Sequence, residues 1–94
     1  METNVTFRHF DGQHPHLQEM ALESLKKCER FFENIVSGEV IFVNENQKYV
    51  EMIIHVKDKT LVIKEENEEL KKALHDATER MIRQIKKHKT KIQQ

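Results

Sequence analysis

The chain has 94 residues, enough for one compact domain and too few for two. Sixteen basic side chains balance sixteen acidic ones, so the zero net charge gives no general argument for a polyanionic partner. A lone cysteine, Cys28, excludes an internal disulfide and fits a reducing compartment, and no apolar run approaches a signal-peptide core or a membrane span. A soluble cytoplasmic protein with a modest core is expected, forming a single domain over residues 1–94 with the last few residues frayed.

Residues 4–10, Asn-Val-Thr-Phe-Arg-His-Phe, alternate polar and apolar and predict a first strand. Asp11 to His14 make a turn, and Pro15 suits the first position of a helix, where its missing N–H would be unpaired anyway. Leu17, Ala21, Leu25, Cys28, Phe32 and Ile35 recur at steps of three or four, which predicts a helix over about residues 15–34, closed near Ser37-Gly38. Val40 to Val43 is a short apolar strand. Tyr49 to Val56 alternates, with Val50, Met52, Ile54 and Val56 on one face, and Thr60 to Ile63 follows a tight connection. Such close strands pair as antiparallel hairpins. A second helix is expected from about Asn67 to beyond His88, with Leu70, Ala73, Leu74, Ala77, Met81, Ile85 and Ile92 in one apolar stripe. The order β-α-β-β-β-α predicts an α+β two-layer sandwich, a four-stranded sheet with two helices on one face.

The charge is unevenly placed. Arg80, Arg83, Lys86, Lys87, Lys89 and Lys91 stand without an acid from residue 80 onward, whereas the preceding segment carries ten basic and sixteen acidic side chains. On a helical wheel Lys72, Arg80, Arg83, Lys86 and Lys87 share one flank, a row that can follow a phosphate backbone. Cations late in a helix also complement its negative end, and Asp76–Arg80 and Glu79–Arg83 read as i,i+4 ion pairs. The pattern alone therefore leaves a solvated face and a nucleic-acid surface both open.

Other candidates read blandly. His9, Asp11, His14 and His16 match no zinc spacing and read as turn and capping groups, so no metal or other cofactor is expected. His55 and His88 read as surface groups. Cys28 lies on an apolar stripe and reads as a small buried hydrophobe with no base placed to activate it. Glu65-Glu66 and Glu68-Glu69 read as acids opening the second helix. Phe31 and Phe32 read as core, with Phe31 near its rim. Phe7, Phe42 and Tyr49 are strand aromatics whose face is open, and they would stack bases only from a free sheet face. No phosphate loop or nucleophile elbow is present, so catalysis is not expected.

The run Glu79-Arg80-Met81-Ile82-Arg83-Gln84-Ile85-Lys86-Lys87-His88-Lys89-Thr90-Lys91 resembles the closing helix of ribosome hibernation promoting factors and the related ribosome-associated inhibitor. Lys27-Cys28-Glu29-Arg30-Phe31-Phe32-Glu33-Asn34-Ile35 is similar to the family's Lys-x-Glu-x-aromatic-Phe-acid-x-Ile pattern. Thr6 to Phe10 and Lys64-Glu65-Glu66 also fit. The resemblance covers nearly the whole chain and implies the same fold, related in shape to double-stranded RNA-binding domains. It further implies binding of the small ribosomal subunit and its rRNA in the decoding channel between head and body, blocking messenger and transfer RNA sites in stationary phase or stress. Lys27, Arg80, Arg83, Lys87 and Lys91 carry over as its rRNA-binding residues, with Lys86 and Lys89 added by position and Lys72 by the helical wheel. Arg8 and His88 are further candidate RNA contacts.

Two departures stand out: Lys71 replaces the family's usual tyrosine, and His75 its second aspartate. With the chain ending at Gln94, the resemblance is to the short form, which cooperates with a separate ribosome modulation factor. No membrane or small-molecule substrate is implied. Two rivals remain at this level: a protein-interaction module using the open sheet face or an edge, and a free-standing double-stranded RNA binder.

Overall fold

A computed structural model describes the backbone of residues 1–93 and the side chains of residues 1–89. The elements are β1 (Glu2–Arg8), α1 (Pro15–Glu29), β2 (Ile35–Val43), β3 (Tyr49–Val56), β4 (Lys59–Glu66) and α2 (Leu70–Gln93). The four strands lie in the order β1-β2-β3-β4. β1 runs parallel to β2, while β2–β3 and β3–β4 are antiparallel hairpins. The sheet is thus mixed, because α1 carries the chain back before β2 begins. α1 packs over β1 and β2, α2 packs over β3 and β4, and the helices touch each other. The expected two-layer α+β architecture is borne out.

Alternation decides what each face holds. Val40, Phe42, Val50, Met52, Ile54, Leu61 and Ile63 point toward the helices and are buried against Leu25, Leu74, Met81 and Ile85. Each such side chain contributes on the order of 1.5–3 kcal/mol when fully buried. The other face carries Arg8, Val43, Tyr49 and Glu66 in one cross-strand row and Thr6, Ile41, Glu51 and Lys64 in the next. No helix covers it. Thr78 is a polar group inside the core, and its hydroxyl donates to the Leu74 carbonyl at 2.6 Å, which satisfies it.

Three boundaries differ from the periodicity reading. α1 stops at Glu29, and the chain tightens into shorter turns as the Phe31 N–H donates to the Cys28 carbonyl at 3.0 Å. Ile35, which continues the helical spacing, instead opens β2 opposite Val56 and is buried there. Ser37-Gly38 therefore lies inside a strand and is no helix stop. A Cβ on Gly38 would sit 2.8 Å from Leu25 Cδ2 and 3.2 Å from Ile54 Cδ1, so the glycine lets α1 approach the sheet. Third, Glu65 and Glu66 belong to β4 and do not open α2. Asn67 forms the turn between them, its Oδ1 accepting from the Glu69 N–H at 2.9 Å.

Candidate nucleic-acid interface

α2 sets the geometry of the cations. Its apolar stripe is held down by Ala73, Leu74, Ala77, Met81 and Ile85, all buried, so the remaining positions divide into an outward crest and two flanks. Arg83, Lys87 and Lys89 are exposed, and no hydrogen bond or ion pair among the described residues engages them. Arg80 turns to one flank, where its guanidinium donates to the Glu65 carboxylate of β4 at 2.6 Å. Lys86 turns to the other flank, its ammonium 4.9 Å from the centre of the Phe31 ring beyond α1. Lys72 is tied to Glu69 at 2.9 Å, and that hydrogen bond holds its ammonium pKa above the usual lysine value. The cations that share one flank on a flat wheel are therefore split by their neighbours in three dimensions.

The i,i+4 pairings expected from spacing are replaced by others. Arg80 pairs with Glu65, not Asp76, and Glu79 pairs with His75 at 3.3 Å, not Arg83. Across the helices, Lys27, Phe31, Glu79, Ile82, Arg83 and Lys86 line a groove of about 310 Å³. Lys27 is exposed at the last turn of α1, beside buried Cys28. Burial pushes the Cys28 thiol up to about 11, with the Lys27 charge opposing the rise. A thiol held protonated in this way is a packing group, as expected. The groove was not legible as such in the sequence. Its one advance signal was the aromatic at position 31, three residues beyond Cys28, where the helical stripe would place a rim position.

Other candidates fall elsewhere. Arg8 is exposed at the end of β1 on the sheet face turned away from the helices, so the fold does not bring it to the crest. His88 is not a surface group. Only 8% of it is exposed, its ring meets Phe32 edge-on at 5.6 Å, and its Nε2 lies 3.8 Å from Asp58 without a hydrogen-bond partner. It sits about one helical turn beyond Ile85 on the buried stripe of α2, which explains why a histidine in a lysine run is inward. Lys91 and Ile92 lie outside the described side chains.

The aromatics separate cleanly by face. Phe42 is core, with Phe7 stacked on it at 5.2 Å. Tyr49 occupies the open sheet face, where Lys64 covers its ring at 4.1 Å. His9, at φ 64°, reaches Glu45 at 3.1 Å, and the His14 ring bonds to the Asp11 carbonyl at 3.1 Å. His14 occupies the N-cap position of α1, but its side chain makes no capping bond to the helix. These histidines thus organise a turn.

A family profile described as sigma 54 modulation protein / S30EA ribosomal protein matches residues 3–93. The ribosome hibernation promotion factor of Bacillus subtilis is 34% identical over 82 residues, a span covering 83% of this chain and 43% of that protein. The chain thus spans less than half the length of that relative. The ribosome hibernation promoting factor of Pseudomonas putida is 31% identical over 94 residues, covering 99% of this chain and 91% of its own. Among solved structures, the N-terminal domain of Thermus thermophilus Protein Y superposes with a TM-score of 0.81 at 16% identity, covering 94% of this chain and 99% of that one. A ribosomal subunit interface protein from Coxiella burnetii gives 0.85 at 20% identity, covering 96% and 99%. Those two identities speak for a shared fold. The profile match along nearly all of the chain, joined to the Pseudomonas relative, places it by sequence as well: the chain belongs to the sigma 54 modulation protein / S30EA ribosomal protein family.

Proposed function

We propose that this protein binds the small ribosomal subunit in the decoding channel between head and body, occupies the sites of messenger and transfer RNA, and holds ribosomes idle in stationary phase or stress. The observation that carries this reading is the crest of α2, where Arg83 and Lys87, one turn apart, stand exposed with no acid engaging them among the described residues, Lys89 being exposed further round the same helix. Exposed cations at helical spacing on a rigid element dock on phosphates and release counterions as they do so. The chain before residue 80 carries ten basic and sixteen acidic side chains, so the positive charge is concentrated in the closing part of α2. The relatives' names, ribosome hibernation factors, point the same way.

The mechanism is occupancy and needs no catalysis, cofactor or small-molecule substrate. The protein acts in the cytoplasm, where ribosomes are, and no helix among the described residues is long and apolar enough to cross a membrane. A separate modulation factor carries over from the resemblance as a second partner. The test is competition: transfer RNA is bound to messenger-programmed small subunits, and the protein is titrated in. Displacement of the transfer RNA at near-stoichiometric protein is the expected result. A complex that retains both would refute occupancy of the decoding sites.

A further inference from the structure

The groove between α1 and α2 holds two residues that a phosphate does not need. Phe31 is half-buried and turns its ring toward Lys86. Glu79 lines the same groove as Lys27, Arg83 and Lys86, and its exposed carboxylate lowers the groove's attraction for a phosphate. Yet this acid is not spent on a neighbouring cation of the crest, since its partner is His75. An aromatic face and a carboxylate across a groove of about 310 Å³, flanked by cations, match the parts of an unpaired nucleotide. Bases stack on aromatic rings, and a carboxylate accepts from their amino and imino groups.

We propose that this groove takes one unpaired guanine from structured RNA. Its ring stacks on Phe31, its N1–H and N2–H groups donate to the Glu79 carboxylate, and Lys27 and Arg83 meet the flanking phosphates. Guanine alone presents two adjacent donors on its Watson–Crick edge, matching the two oxygens of a carboxylate. Uracil has one donor between two carbonyls, and adenine and cytosine set an acceptor nitrogen beside their amino group. Against Glu79 those acceptors are repelled, while the two guanine bonds are charge-assisted and strong. Lys86, now over the ring, moves aside to a phosphate as the base enters, and His75 yields Glu79. The inference rests on the RNA-binding reading above and deepens it by naming the base that the site accepts.

The test is fluorescence anisotropy with pentauridylate and its three variants carrying a central guanine, adenine or cytosine, at low salt. The guanine oligonucleotide is expected to bind roughly tenfold more tightly than the others. Glu79→Gln removes that preference, because an amide offers one acceptor where the carboxylate offers two. Phe31→Leu weakens all four oligonucleotides. Phe31 also packs against the core, so the exposed Glu79→Gln variant is the decisive one. Equal binding of the four, or a guanine preference that survives in Glu79→Gln, overturns the proposal. Sedimentation of the same preparation with ribosomes keeps the two readings apart. Ribosome binding without guanine preference refutes the base site alone, and guanine preference without ribosome binding supports the site while refuting the ribosomal function.

Discussion

The Arg80 guanidinium and the Glu65 carboxylate meet at 2.6 Å and tie α2 to β4, while Arg83, less than one turn further on, meets no acid among the described residues. Two arginines that look equivalent in the sequence therefore do different work. Arg80→Ala is expected to lower stability by less than about 1 kcal/mol, since both partners are partly exposed and the pair is screened. Arg83→Ala should leave the Tm unchanged and weaken ribosome binding several-fold. Thermal melts and sedimentation on the two variants check this, and the reverse pattern would contradict the assignment.

Gly38 is expected to resist substitution for reasons of space. Gly38→Val places new carbons against Leu25 and Ile54, both fully buried, and should cost about 1–3 kcal/mol by overpacking. The denaturant midpoint measures it. A variant as stable as the parent would mean that α1 can ride further from the sheet.

Cys28 makes a signed prediction about alkaline pH. Its folded value, about 11, lies above the 9.0 of an unburied thiol because burial disfavours the thiolate. The unfolded chain therefore releases this proton first. The contribution is full below pH 9 and is lost as pH rises through 11, amounting to no more than about 3 kcal/mol. The stability difference between the parent and Cys28→Ala should shrink over that interval, and the native thiol should react with alkylating reagents only on unfolding. A pH-independent difference would contradict it.

The fold was largely legible because periodicity and burial agree along most of the chain. β3 is the clearest case, its alternation from Tyr49 to Val56 matching the observed strand. Legibility failed where one spacing served two structures. Phe32 and Ile35 extend the stripe of α1, and only the pairing of Ile35 with Val56 reveals that the strand wins. The parallel pairing of β1 with β2 was likewise hidden, since it joins residues separated by a whole helix. At the interface, residue type located the cations, but choice of partner is tertiary. Nothing local says that Arg80 prefers Glu65 of β4 to Asp76 one turn away, or that His88 turns inward to Phe32.

That inward histidine carries a prediction of its own. With Nε2 buried and without a hydrogen-bond partner, His88 bears a desolvation penalty that an apolar side chain would not. His88→Leu should be neutral or stabilising by about 1 kcal/mol, as read from chemical denaturation. A loss of stability well beyond that would show that the imidazole itself is needed, through Asp58 3.8 Å away.

The central claim is that the crest of α2 docks on ribosomal RNA, and sedimentation with ribosomes across a salt series tests it most directly. If about four phosphates are neutralised, the log–log slope of affinity against salt should be about −3 to −4. The Arg83→Glu, Lys87→Glu double variant should remain folded, because both positions are exposed, and should fail to sediment with ribosomes. Binding that is insensitive to salt, or a double variant that binds as the parent does, would contradict the account.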